Sequence, residues 1–208
     1  MMFRDRVEAG KKLANALLKY GKEQAIVLAI PRGGVILGYE VASLLNLPFD
    51  ILIPRKIGAP KQKEMAIGAV TEDGTSIFND RLIRSLKIDD EYIKKEIEIQ
   101  IKEIKRRNGI YKKKNIFLNN KIIILIDDGV ATGATLKAAI LSLKKCDIKS
   151  LIIAVPVGPK DTIYELEKLV DEVICLSSPH PFFAVGEFYK DFNQITDREV
   201  IKLLAKIK

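Results

Sequence analysis

Residues 122–135 constrain the fold of this chain more than any other segment, and they read IIILIDDGVATGAT. The aliphatic run at 122–126 is short and rich in β-branched side chains, which predicts a strand that is buried on both faces. Asp127 and Asp128 follow this run directly. We therefore expect them at the carboxyl end of the strand, where open α/β sheets bind their ligands.

The acidic pair leads into a loop of small residues that opens a helix, namely Ala131, Thr132, Gly133, Ala134 and Thr135. Backbone N–H groups at a helix N-terminus, together with the positive end of the helix dipole, favour a bound anion. Carboxylates can bind hydroxyls or a metal, and backbone amides can bind a phosphate. A segment that offers both in succession suits a phosphorylated sugar. The alternative is a buried strand with a solvated turn, but such a turn requires neither two acids nor Thr-Gly-Ala-Thr.

Strand and helix signals alternate along the rest of the chain. Strands are predicted at 25–30, 49–54, 122–126, 151–155 and 172–176, and helices at about 3–18, 35–45, 136–143 and 159–170. This alternation is typical of an α/β fold with a Rossmann-like, mainly parallel five-stranded sheet and helices on both faces. Apolar runs on either side of Glu72-Asp73-Gly74 predict a hairpin. We expect a single domain over 1–208, with a core at roughly 22–178, a hairpin flap at 57–80 and a C-terminal hood or tail at 179–208.

A second anion-binding signal follows the first predicted strand, where Pro31 leads into Arg32, Gly33 and Gly34. Glycines let backbone amides approach an anion closely, and an arginine adds a fork of donors. On its own, this segment fits a tight turn with a surface arginine equally well. Its place after a strand of the same parallel sheet favours a site shared with the acidic pair.

The run at 123–135 resembles the ribose-phosphate signature of the type I phosphoribosyltransferase family. That signature has four apolar residues, an acidic pair, two mostly apolar residues and a Thr/Gly-rich loop. Gly129 departs from it, because the family usually has an aliphatic residue or serine there. The resemblance implies the type I phosphoribosyltransferase fold, 5-phosphoribosyl-1-diphosphate (PRPP) as donor and magnesium (Mg²⁺) as cofactor. It also implies that Asp127 and Asp128 bind the ribose hydroxyls and assist the metal, partly through water.

The same resemblance assigns the other predicted site residues. Residues 131–135 would hold the 5-phosphate, and the pyrophosphate would be held by Arg32, Gly33, Gly34, Arg55 and Lys56. The polar segment 58–65 corresponds in position to the mobile loop that closes over the substrate in these enzymes. Lys61 or Lys63 in it would stabilise the leaving group, although an exposed loop rich in lysine is an equally good interpretation.

The acceptor is not identified by these motifs. Ala131 stands where hypoxanthine-guanine enzymes of the family usually have an aspartate, which argues against a 6-oxopurine acceptor of that type. The aromatic tail at 182–192 could stack on a flat base, or it could be a hydrophobic clasp that holds the tail on the sheet. With segments 55–60 and 66–70, this tail resembles a widespread uncharacterised phosphoribosyltransferase-like subfamily. His180, between two prolines, is interpreted as a loop residue rather than an acid–base group.

Composition and charge limit the other functional classes. The chain has an apolar share of 48% and only two cysteines, and it has no apolar run long enough for a membrane span and no signal peptide, so we expect a cytoplasmic protein with free thiols. The net charge is +8, and much of the basic excess lies in 81–114, which is predicted as one long amphipathic helix. A solvated, salt-bridged face is the simplest interpretation of that helix. Attraction of a polyanionic substrate is an alternative, and nucleic-acid binding is disfavoured because no aromatics interleave with the basic residues.

Two functional hypotheses remain. The first is a magnesium-dependent phosphoribosyltransferase that uses PRPP and an unidentified acceptor, and its resemblance to the family implies a homodimer. The second is a non-catalytic sensor on the same fold that binds PRPP or a nucleotide. A P-loop nucleotide-binding protein is a poor third interpretation, because GxxxxGK[ST] does not occur in the sequence.

Overall fold

The computed structural model describes residues 1–111 and 116–206. The basic run 112–114, which was part of the predicted long helix, lies outside the described residues. Two short 3-10 turns occur at Leu18–Tyr20 and Val185–Phe188. The other elements, in chain order, are α1 (Arg6–Ala16), β1 (Ala25–Ala29), α2 (Gly34–Leu45), β2 (Phe49–Ile51), β3 (Arg55–Ala59), β4 (Gln62–Val70), β5 (Ser76–Phe78), α3 (Asp80–Ser85), α4 (Asp90–Tyr111), β6 (Ile122–Ile126), α5 (Ala134–Leu143), β7 (Ser150–Val157), α6 (Lys160–Glu167), β8 (Glu172–Ser177) and α7 (Asp197–Leu204).

The chain divides into two compact units. The first, which we call the core unit, consists of Met1–Leu52, Tyr111–Thr132 and Cys146–Lys208. The second, which we call the hairpin unit, consists of Ile53–Ile110 and Gly133–Lys145. Among the described residues, no helix is both long enough and apolar enough to span a membrane.

The core unit contains a five-stranded parallel sheet in the order β2-β1-β6-β7-β8. Every residue of β1 and β6 is buried, which explains why both segments are unbroken aliphatic runs. Ile126 pairs with Ala29 on one side and with Ala154 on the other, so β1, β6 and β7 are aligned in register up to Ile126. The predicted α/β sheet is therefore confirmed, and the residues that follow β1 and β6 emerge at the same edge.

Two helices of the core unit pack against each other and cover the sheet. Helix α1 lies against β7 and β8, while α2 lies against β1, β2 and β6. Leu13 of α1 and Leu37 of α2 are completely buried, and burying a side chain of this size contributes about 1.5–3 kcal/mol. The Asp5 carboxylate caps α1 by accepting a hydrogen bond from the N–H of Glu8, at 2.8 Å. This cap makes Arg6 the first residue of the helix.

The C-terminal part of the core unit ends in α7, which packs on α2. Thr196 and Glu199 form a capping box at its N-terminus, in which each side chain bonds the backbone of the other. Val200 is completely buried. The predicted tail at 179–208 is therefore anchored by a helix within the residues that the structure describes.

The hairpin unit contains a three-stranded antiparallel sheet in the order β3-β4-β5. Gly68 pairs with Phe78 and Val70 with Ser76, which confirms the hairpin predicted from Glu72-Asp73-Gly74. The carboxylate of Asp73 accepts hydrogen bonds from the hydroxyls of Thr71 and Thr75 and closes the turn.

Three sequence-based predictions about local structure are wrong. The segment predicted as a polar loop, 58–65, belongs mostly to the antiparallel pair β3–β4, with an exposed turn at 60–61. The burial of Ile57 and Ile67 in this pair outweighs the polar sequence around the turn. The second strand ends at Ile51 rather than at 54, so Arg55 begins a strand of the hairpin unit instead of following one of the parallel sheet.

The third wrong prediction is the single helix over 81–114, because the structure has two helices, α3 and α4. Lys87 adopts a left-handed conformation with φ of 49°, which ends the first helix. The side chain of Asp89 then accepts a hydrogen bond from the N–H of Glu91, as a capping residue does at a new helix start.

Candidate functional site

The acidic pair lies where the sequence predicted it, immediately after β6. Asp127 Oδ1 accepts a hydrogen bond from the backbone N–H of Asp128 at 2.8 Å, which tightens the turn. Both residues are half-buried. The pair therefore stands at the carboxyl end of the central strand, with its backbone held by a contact within the pair itself.

The loop that contains Arg32, Gly33 and Gly34 lies directly beside the acidic pair. The two come together because the N–H of Ile30 donates to the carbonyl oxygen of Ile126, which extends the pairing of β1 with β6. A Cβ atom added to Gly33 would lie 1.8 Å from Asp128 Oδ2, and one added to Gly34 would lie 3.0 Å from the Cα of Asp127. Two glycines are therefore required here for close approach between the loop and the acids.

Arg6, which the sequence analysis missed, is bound to the second acid of the pair. Its Nε donates to Asp128 Oδ2 at 2.7 Å, and its NH1 group donates to the backbone oxygen of Asn193 at 2.8 Å. The guanidinium carbon lies 3.8 Å from the centroid of the Phe192 ring. Burial raises the pKa of Asp128, and the charge and hydrogen bond of Arg6 oppose that rise.

The aromatic tail contributes to the same cluster. The Tyr189 hydroxyl donates to the backbone oxygen of Asp128 at 2.6 Å, and its ring contacts those of Phe3 and Phe192 at centroid distances of 5.4 and 4.9 Å. Burial, together with the nearby charge of Asp128, raises the pKa of Tyr189, so the phenol remains a donor. Tyr189 and Phe192 thus have the packing expected of a clasp, whereas Phe183 is exposed.

The N-terminal segment and the tail are also joined through the backbone. The N–H of Phe3 donates to the carbonyl oxygen of Phe188 at 2.8 Å, and the N–H of Lys190 donates to the carbonyl oxygen of Phe3 at 2.8 Å. His180 is exposed in the loop after β8, in agreement with its interpretation as a loop residue.

Arg32 is oriented by the C-terminal helix. Its NH1 group lies 3.8 Å from Asp197 Oδ1, and that same oxygen accepts a hydrogen bond from the Tyr111 hydroxyl at 2.6 Å. Asp197 is the first residue of α7. The arginine of the loop therefore has an anionic partner within the core unit.

The predicted phosphate loop spans the boundary between the two units in sequence. Ala131 and Thr132 belong to the core unit and are exposed, and the Ala131 carbonyl oxygen accepts a hydrogen bond from the Thr162 hydroxyl at 2.8 Å. Gly133, with φ of 73°, precedes α5, which begins at Ala134 and includes Thr135. No side chain of the described residues caps this helix, so its first turn has the features of an anion-binding helix start.

The predicted basic residues of 55–63 lie in the hairpin unit. Arg55 Nε donates to Gln100 Oε1 at 2.8 Å, and Gln100 Nε2 donates to Glu96 Oε1 at 2.8 Å. The ammonium of Lys63 donates to Glu96 Oε2 at 2.7 Å and to the Tyr92 hydroxyl at 2.8 Å. Arg55 and Lys63 are thus brought together by two polar side chains of α4. Lys56 and Lys61 are exposed and stand outside this network.

The arrangement of acidic residues limits how a metal could be held. Across residues 1–111 and 116–206, no group of three or more His, Cys, Asp or Glu side chains could hold a metal ion by itself. A magnesium ion at the acidic pair would therefore complete its coordination with water and substrate oxygens, which is the coordination that Mg²⁺ prefers.

Comparisons with known proteins identify the family of this chain. The family model described as "Phosphoribosyl transferase domain" matches residues 5–191. A Mycobacterium tuberculosis protein named "Putative phosphoribosyl transferase" is 39% identical over 207 residues, which is 99% of this chain but only 47% of that protein. This chain therefore spans about half the length of that relative.

One solved structure is similar over the full length. The crystal structure of the protein TT1426 from Thermus thermophilus has a TM-score of 0.83 and 36% identity, and the match covers 100% of this chain and 99% of that one. The fold is therefore shared over the whole chain, and the family model covers residues 5–191. The chain belongs to the phosphoribosyltransferase family.

Proposed function

We propose that the protein transfers the 5-phosphoribosyl group from PRPP to a nitrogenous base or an amine, with release of pyrophosphate. The observation that carries this proposal is the contact between the acidic pair after β6 and the Arg32–Gly34 loop after β1. In the transfer, the bond from ribose C1 to the diphosphate oxygen breaks and a bond from C1 to the acceptor nitrogen forms. The acceptor nitrogen loses its proton to solvent.

The residues divide by ligand group. The acidic pair would bind the ribose at its hydroxyls, because carboxylates accept hydrogen bonds from neutral hydroxyls. The amides at 131–135 would hold the 5-phosphate at a helix start. Arg32 and the glycine backbone would hold the diphosphate. The family resemblance also assigns Arg55 and Lys56 to the diphosphate, and Lys61 or Lys63 to the leaving group.

A magnesium ion would fit beside the acidic pair. Asp127 and Asp128 would hold it, in part through water, and a bound ion supplies positive charge that offsets the diphosphate. The chain's own contribution would be positioning and electrostatic stabilisation. No covalent intermediate with the protein is needed for this step.

For the acceptor we propose a chemical class and no single compound. Ala131 provides no carboxylate for the proton of a 6-oxopurine, so adenine, another base or a small amine fits better than hypoxanthine or guanine. The packing of Tyr189 and Phe192 on the N-terminal segment gives them a supporting role and leaves less of the tail for stacking on a base.

The test is a pyrophosphate-release assay with PRPP, magnesium and a panel of purines, pyrimidines and amines. We expect release with at least one acceptor. Asp127→Asn should reduce release at least tenfold, because it removes a charge-assisted hydrogen bond of about 1.5–3 kcal/mol. Asp161→Asn, at an exposed acid in the first turn of α6, is the matched control.

A calorimetric titration of the protein with PRPP, run beside the activity assay, separates the two functional hypotheses. PRPP binding by calorimetry without pyrophosphate release from any acceptor would favour the non-catalytic sensor. Absence of PRPP binding to the folded protein would contradict the transferase hypothesis and a sensor of PRPP, and would leave only a sensor that binds a nucleotide.

A further inference from the structure

We infer that the ion pair between Arg6 and Asp128 positions the diphosphate-binding loop, so that Arg6 is a positioning residue that acts on the donor through Asp128 and this loop. The inference rests on the proposed function and refines it. It adds a second task to the ribose-binding role proposed for Asp128, which is to hold the loop together with Arg6.

The first argument is the surroundings of the Asp128 carboxylate. Only 17% of its side chain is exposed, and Oδ2 is committed to Arg6 at 2.7 Å. The backbone oxygen of the same residue is held by the Tyr189 hydroxyl. Arg6 thus binds the side chain of Asp128 and Tyr189 binds its backbone, so Asp128 is held in one position.

The second argument is that the Arg6 side chain is held in place by its own burial and contacts. Its side chain is 8% exposed, its NH1 group is bonded to Asn193, and its guanidinium lies on the Phe192 ring. Movement of Asp128 towards a sugar would leave a buried guanidinium without its counter-ion, which is strongly unfavourable. The pair is therefore a fixed structural unit.

The third argument is the position of Gly33 on top of this pair. A Cβ at Gly33 would lie 1.8 Å from Asp128 Oδ2 and 2.9 Å from Arg6 Nε, so the loop backbone rests on both partners. The amide groups of Gly33 and Gly34 are the ones proposed to face the diphosphate. Loss of either charged partner would let the loop shift, and the affinity for the diphosphate would fall.

The experiment is a double-mutant cycle read by ligand selectivity. Arg6→Gln, Asp128→Asn and the double variant are titrated by calorimetry with magnesium pyrophosphate and, separately, with ribose 5-phosphate. Arg6→Lys tests rescue of the charge, and Arg4→Gln, at an exposed arginine that pairs with Asp5, is the matched control. Circular dichroism verifies that each variant is folded before titration.

We expect each single variant to raise the Kd for pyrophosphate about tenfold, because the loop is displaced. Arg6→Gln should raise the Kd for ribose 5-phosphate no more than about twofold, because Arg6 acts on the loop and has no proposed contact with the sugar. The double variant should be no weaker than the weaker single variant, since the partners act as one unit. Arg6→Lys should recover part of the loss, and Arg4→Gln should match the wild type. If Arg6→Gln does not fold, the double variant is compared with Asp128→Asn instead, because the double variant buries no unpaired charge.

Two results would overturn the inference while leaving the proposed function intact. One is a loss of ribose 5-phosphate affinity in Arg6→Gln as large as its loss of pyrophosphate affinity, which would show that the ion pair supports the whole site rather than the loop. The other is additive losses of pyrophosphate affinity in the double variant. Failure of the wild-type protein to bind either ligand would instead overturn the proposed function, and this inference with it.

Discussion

The ammonium of Lys63 on β4 lies 2.7 Å from a carboxylate oxygen of Glu96 on α4, a residue that is 6% exposed. Burial acts to raise the pKa of Glu96, but Lys63 and Gln100 together hold it below its ordinary value. Through Gln100 the same carboxylate also supports Arg55. One buried acid therefore orients two of the basic residues that were predicted to serve the diphosphate.

We expect Lys63→Met to destabilise the protein by about 1 kcal/mol, because it leaves the Glu96 carboxylate without its cation while the exposed position of Lys63 limits the loss. The measurement is urea unfolding at neutral pH. Lys61→Met, in the exposed turn, is the control and should be neutral. Equal stabilities of the two variants would show that Glu96 does not depend on Lys63.

The ion pairs of Glu103 predict a dependence of stability on pH. Hydrogen bonds from Arg106 and Arg107 lower the pKa of Glu103 to about 2. Because its folded pKa is below its unfolded one, Glu103 contributes stability that is fully present above about pH 4.5 and is lost as the pH falls through about 2. Glu103→Gln should therefore cost about 0.5–1 kcal/mol at pH 7 and almost nothing near pH 2. Urea unfolding of Glu103→Gln and of the exposed control Glu98→Gln across this range checks it, and a cost independent of pH would refute it.

We expect Tyr189→Phe to lower the free energy of unfolding by about 1–2 kcal/mol, because the Asp128 carbonyl oxygen loses its hydroxyl donor. The measurement is chemical unfolding, with Tyr164→Phe, at a tyrosine that is 60% exposed, as the control. A wild-type stability for Tyr189→Phe would mean that water replaces the hydroxyl at no cost.

We expect Gly33→Ala to abolish measurable PRPP binding, since the added methyl group would overlap the Asp128 carboxylate. Calorimetry with PRPP is the readout. Gly109→Ala is the control in α4, where an added Cβ meets nothing within 4 Å, and it should bind PRPP normally and gain about 0.5–1 kcal/mol of stability. Unchanged PRPP affinity in Gly33→Ala would show that the loop can move away from the acid.

The elements of the core unit could be predicted because their signals are local. The aliphatic run at 122–126 and the adjoining acids specify a buried strand and its polar end within a few residues. The hairpin turn at Asp73 and the caps at Asp5 and Thr196 are also local, since each bonds a residue two or three positions away. The separation of α3 from α4 was missed because the hydrophobic spacing suggested one continuous helix, although Asp89 was a capping signal.

The support of the acidic pair could not be predicted in this way, because Arg6 and Asp128 are 122 positions apart. One signal was present: Arg6 is in helical phase with Ala9, Gly10 and Leu13, which are all buried on α1. An arginine on the buried face of a helix needs an acidic partner, but the sequence does not say which one. The Glu96–Gln100 pair on the buried side of α4 was missed for the same reason.

The hydrogen bond from Arg6 to Asn193 closes a loop of 187 positions, and contacts of such span carry a high chain-entropy cost and tend to form late in folding. The parallel strands can pair before residues 188–193 join residues 3–6. In a refolding experiment, ellipticity should therefore return before affinity for PRPP, and ligand binding would report the final joining of two distant stretches of chain.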